Sequence, residues 1–209
     1  MWLCLVAGAS GAAPRLLDEA VAIVNGRVVT RSELDFEARV LLVRSGGVAA
    51  ADAELDDALL AKVLDAVIGE RLELAEAEKL KAWRVDPEDV QSALEAFKSR
   101  FVTRAQFDAF LERHEATAGE LGALLERSLR VQRAFDGKLR LRSQVTEAEA
   151  LATQAGRPDL EGLALEPLRA KLAQERYVTL VEQELKGLRK PGVVRLLGPF
   201  ARRSDGGSR

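Results

Sequence analysis

Cysteine and histidine occur once each in this 209-residue chain, as Cys4 and His114. A zinc site needs three or four converging ligands, and a Cys/His nucleophile pair would have to draw on a cysteine at the extreme N-terminus, so most metal, redox and thiol chemistries lack their parts. No metal is expected, and no catalytic role falls to His114, which reads as the C-terminal residue of a short helix. Aromatic residues make up only 5% of the chain, too few for a β-sandwich of ordinary composition. No Gly-rich phosphate loop of the Walker type appears, and a Ser/His/Asp set could use only His114. Nucleotide use, and cofactor use in general, is therefore not expected. Nor is there an excess of one charge: 31 Lys and Arg against 33 Asp and Glu leave a net charge of -2, which supplies no pull toward nucleic acid. Adjacent acids such as Asp56-Asp57 and Glu147/Glu149 read as helix-entry charges rather than general acid/base pairs.

What the chain does have is 47% hydrophobic content, enough for a real core, and long stretches rich in Ala, Leu, Glu and Arg. The expected class is mostly α. Against that background Val21 to Thr30, VAIVNGRVVT, is the clearest strand signal. Asn25-Gly26 accepts the two positive φ values of a type I′ turn, so a hairpin is predicted, and two strands alone need a further strand or a helix to be stable. The other strand candidate is Gly192 to Leu197, GVVRLL, at the far end. If it joins the hairpin, the two ends of the chain close on each other and everything between is a helical excursion.

Trp2 to Ala13 is an apolar run of signal-peptide length ending in small residues, too short to span a bilayer. It is expected to be an export signal, cleaved near Ala13 or Pro14 and leaving a mature chain without cysteine. No Lys or Arg precedes the run, so the alternatives are a start further upstream or a buried N-terminal segment. Residues 14–200 are expected to form one domain. Thr30 to Glu33 has capping-box spacing and opens a first helix that Gly46-Gly47 stops. Leu59 to Leu74 give the strongest helical periodicity in the chain, in a second helix running to about Lys81. Trp83 to Val85 reads as an extended link, and Asp86-Pro87 opens a third helix to about Arg100. Thr103 to Gln106 and Thr117 to Glu120 open a fourth and a fifth, the latter reaching Asp136 or Gly137. Thr146 to Glu149 opens a short sixth, and after a link of about ten residues from Gly156 to Leu165 a long helix runs from Glu166-Pro167 to Pro191. From Ala201 the apolar content ends, and the tail to Arg209 is expected to be disordered.

The order of V-A-I-V-N-G-R-V-V-T-R-S-E-L-D, a long amphipathic helix, an extended link, D-P-E-D-V and T-R-A-Q-F resembles the N-terminal chaperone domain of SurA-like periplasmic proteins, which are related to PpiC-type peptidyl-prolyl isomerases. The resemblance covers about Ala20 to Glu149 and resumes at Leu168 to Leu197. It implies a multi-helix chaperone core with a small antiparallel sheet built from the hairpin and the C-terminal strand. In that family one or two parvulin-type isomerase domains lie between the helix after V-T-E-A-E and the terminal helix. Here the Gly156 link joins those two positions, so the family's catalysis is not carried over, and the chain is not expected to be an enzyme. The resemblance then implies an ATP-independent periplasmic holdase whose partners are unfolded outer-membrane or exported polypeptides.

Phe97, Phe101, Phe107 and Phe110 are the candidate peptide-binding residues, with a plain place in the core as their alternative. Two other functional readings stay open. One is a helical scaffold dedicated to a single secretion-pathway partner; the other, opposed by loop lengths, is a PpiC-type isomerase homologue.

Overall fold

The computed structural model describes residues 18–204; the expected export signal and residues 205–209 of the expected tail lie outside the described residues. Ala20–Val24 (β1) and Arg27–Thr30 (β2) pair antiparallel across Asn25 and Gly26, which carry φ values of 50° and 76° as the type I′ turn requires. Val194–Leu196 (β3) pairs antiparallel with the opposite side of β1, placing Ala22 against Leu196 and Val24 against Val194. The strand order is therefore β2-β1-β3. The first strand of the described chain sits between its own hairpin partner and the last strand, so the predicted closure of the two ends is what the sheet does.

The rest is helical: Arg31–Gly46 (α1), Asp57–Lys79 (α2), Pro87–Lys98 (α3), Arg104–Arg113 (α4), Ala118–Leu139 (α5), Glu147–Ala155 (α6), Leu165–Leu188 (α7) and Gly198–Ser204 (α8), with 3₁₀ turns at Val48–Asp52 and Pro158–Leu160. The class is mostly α with a small antiparallel sheet, as the composition predicts. Short-range chemistry sets the starts. Asp56 Oδ1 accepts the Leu59 amide at 2.6 Å, and full capping boxes form at Thr117/Glu120 and Thr146/Glu149. Two of the expected boxes are only half made. At α1, Thr30 accepts the Glu33 amide, but the Glu33 carboxylate turns away to Arg71 of α2. At α4, Thr103 accepts the Gln106 amide, whereas the Gln106 side chain accepts from Val102, one residue before the cap. Tertiary partners outcompete local ones in the first case, where a guanidinium offers a charged bond.

Two further expectations are corrected. The link after α2 is not extended at its start: Lys81 and Trp83 have φ of 51° and 52°, and the Trp83 ring lies against α5. Gly137 of α5 makes room for it, because a Cβ there would lie 2.5 Å from Trp83 Nε1. The tail is not disordered from Ala201, since α8 continues to Ser204, anchored by Phe200, which is buried against the sheet core. A lone aromatic flanked by Gly, Pro and a polar run gives little periodicity to read. One buried ring is nonetheless worth several kcal/mol, enough to order a short helix.

Two main cores result. Beneath the sheet, Val21, Val24 and Val29 meet Leu34 of α1, Leu60, Leu64, Ile68 and Leu72 of α2, and Phe200. Further along α1, Val40 and Val43 join the side chains of α3, α4 and α5 in a second cluster. Smaller clusters join α5 to α7 and α6 to α7. The link of residues 156–164 makes only the Pro158–Leu160 turn, whose Leu160 is buried between α6 and α7.

Candidate functional site

The four phenylalanines come together as expected, but inward. Phe97 and Phe101 follow one another out of α3, Phe107 and Phe110 face them from α4, and ring centroids lie 5.4 to 6.5 Å apart in tilted or edge-on pairs. All four are at most 7% exposed and pack with Leu111, Leu121 and Leu125. As a lining for an open groove they are corrected to core, the alternative that amphipathic helices make ordinary. Phe36 of α1 extends the ring cluster by its contact with Phe110, and Phe36 itself reaches an open cleft.

That cleft, about 650 Å³, runs between α1 and the α4–α5 corner. Phe36, Ala116, Ala123 and Leu124 supply apolar surface, while Glu33, Asp35, Glu37, Arg39, Arg113 and Arg127 supply charge. His114 closes α4 at one side, its ring edge-on to Phe110 at 4.9 Å and its Nε2 without a hydrogen-bond partner. Burial, then the nearby Arg39 and Arg113, hold its pKa below the usual imidazole value, which favours the neutral ring.

Glu33, Glu37 and Arg127 of the cleft lining belong to an ion-pair layer binding three helices. Arg127 of α5 donates from Nη2 to Glu37 Oε1 of α1 at 2.5 Å and from Nε to Glu70 Oε1 of α2 at 2.5 Å, and Ser128 Oγ donates to Glu70 Oε2 at 2.9 Å. Arg71 of α2 pairs with Glu33 and stands 3.6 Å from Glu37. Three carboxylates thus share two guanidiniums. Burial pushes the Glu37 carboxyl up to about 7; Arg127 and Arg71 pull it down, while Glu70 and Glu33 push it up. A second buried pair lies farther along α5. Glu73, with 0% exposure, accepts from Lys138 Nζ at 2.6 Å, and the same ammonium reaches Glu184 of α7 at 3.1 Å and stands 5.5 Å from the centre of the Trp83 ring. Burial raises the Glu73 pKa, and its Oε2 has no partner. These groups fix helix positions; among the described residues no His, Cys, Asp and Glu cluster could hold a metal.

Neither layer was singled out in the sequence. The signal was there in a weak form, since Glu37 and Glu73 stand on the apolar faces of their helices, beside Ala38 and Leu72, where a charge requires a partner. No single-sequence pattern names that partner, because Arg127 and Lys138 are far away in the chain.

With the geometry in place, the chain can be set beside known proteins. No family model matches it. Over 182 residues it is 28% identical to "Chaperone SurA" of Photobacterium profundum, a match that covers 86% of this chain and 42% of that protein. The likeness is to SurA, and it is distant. The chain spans less than half the length of that curated relative.

Proposed function

We propose that this protein is an ATP-independent holdase that binds unfolded exported polypeptides, outer-membrane proteins among them, in the periplasm, and that it does not accelerate prolyl isomerisation. The observation that carries the chaperone half is the similarity to a SurA chaperone over 86% of the chain. Supporting it is the mixed character of the cleft between α1 and the α4–α5 corner, where apolar and charged side chains stand side by side, a lining that suits many extended segments better than one rigid ligand. The negative half is supported by the short link of residues 156–164, where a 3₁₀ turn and one buried leucine join α6 to α7.

Light scattering of an unfolded outer-membrane β-barrel protein, diluted from denaturant without ATP, tests the first half. Suppression at stoichiometric amounts is expected; unchanged aggregation would remove the holdase reading. A proline-limited refolding reaction tests the second, and its relaxation over tens to hundreds of seconds should stay the same when catalytic amounts are added.

A further inference from the structure

β3 is an edge strand with a consistent hydrogen-bond parity. Asn25 N donates to Val193 O at 2.9 Å and Leu197 N donates to Val21 O at 2.9 Å, so residues 193, 195 and 197 turn their backbone groups toward β1. By the alternation of an antiparallel ladder, the N–H and C=O of Val194 and Leu196 point the other way, off the sheet. No partner in the described chain takes them up. Their side chains meanwhile turn toward α2 and line a cleft of about 270 Å³ with Ala61, Leu64, Ile68 and Phe200, closed at one end by the Asp65–Arg189 ion pair at 2.7 Å. The free backbone row and the apolar cleft lie side by side.

The opposite margin of the sheet differs. Beside β2 the cleft mixes Val29, Leu74 and Ala75 with Arg27, Arg71, Glu78 and Lys79, and Arg27 is paired to Glu78. A strand laid there would set its inward side chains beside four charged groups as well as apolar ones. At β3 it would set them on leucine, isoleucine and phenylalanine.

We propose that the β3 margin is a strand-addition site: an extended client segment with apolar residues at alternate positions pairs antiparallel with Val194 and Leu196 as a fourth strand and drops those apolar side chains into the cleft against α2. Residues directly opposite one another in an antiparallel pair share a face of the sheet, so the client residues bonded to Val194 and Leu196 are also the ones whose side chains enter the cleft. Backbone bonds supply affinity without sequence demands, and the cleft asks only for apolar character at every second position, which is how membrane β-strands alternate. The inference rests on the chaperone reading for the identity of the client and on the strand geometry alone for the site.

The test uses the full chain and a capped synthetic peptide alternating valine and threonine, with amide hydrogen exchange followed by NMR. With peptide in excess, exchange at Val194 and Leu196 should slow about tenfold at roughly 90% occupancy, while the Val28 amide on the other margin is unchanged. Methylating the valine backbone nitrogens should abolish the protection, because those N–H groups face β3; methylating the threonine nitrogens should preserve it. Unaltered exchange at Val194 and Leu196, or protection indifferent to which nitrogens are methylated, overturns the site. Failure of the aggregation assay alongside intact protection would instead overturn the holdase reading and leave the site standing.

Discussion

Single residues in this protein matter most where a charge has been taken out of water. Glu37 has its carboxyl pushed up to about 7 by burial, against an ordinary 4.5, so the folded state holds a proton that the unfolded chain releases between those values. The stability it contributes is therefore greatest below pH 4.5 and is lost as pH rises toward 7. Glu37→Gln should flatten that part of the stability profile, measured as urea midpoints across pH; an unchanged slope would mean the carboxyl titrates normally. At the second layer, Lys138→Met strands the Glu73 carboxylate and should cost about 3 kcal/mol or more. The double variant Glu73→Leu with Lys138→Met removes both charges and should recover much of that loss. If single and double variants unfold at the same denaturant concentration, the pair does not couple.

At the scale of elements, the helix starts were the most legible part of the sequence. Thr117 with Glu120 and Thr146 with Glu149 form the boxes their spacing announces, because every atom needed lies within four residues. The hairpin was legible for the same reason, through Asn25-Gly26. What could not be read is whatever a distant residue decides. Glu33 leaves its cap for Arg71, Trp83 bends back because Gly137 admits its ring, and the four phenylalanines face inward because α3 and α4 fold onto α1 and α5. The candidate surface moved accordingly, from those rings to clefts that no periodicity marks. α8 shows the limit most plainly. Seven residues containing Gly, Pro and Arg predict little, yet Phe200 ties them to the sheet core. Phe200→Ala should lower stability by about 3 kcal/mol; a melting temperature equal to the parent's would show that α8 is held by something else.

For the molecule as a whole, the proposed activity carries a salt signature. Apolar burial is strengthened or left intact by salt, whereas exposed charge pairs are screened beyond about 10 Å at 0.1 M. If clients engage the cleft beside β3, suppression of aggregation should survive raised salt. A steep loss would move the main client contact to the charged cleft between α1 and α5, whose rim carries Arg39, Arg113 and Asp35.

The position of β1 between β2 and β3 has a consequence in time. As the polypeptide is made from its N-terminus, β1 meets β2 almost at once but waits for nearly all the helices before Leu196 follows. Throughout that interval the backbone of Val21, Ile23 and Asn25 is open to any extended chain nearby, and closing so long a loop is the slow kind of contact. The chain thus begins with an unpaired strand of its own, and the last strand to arrive is the one that covers it.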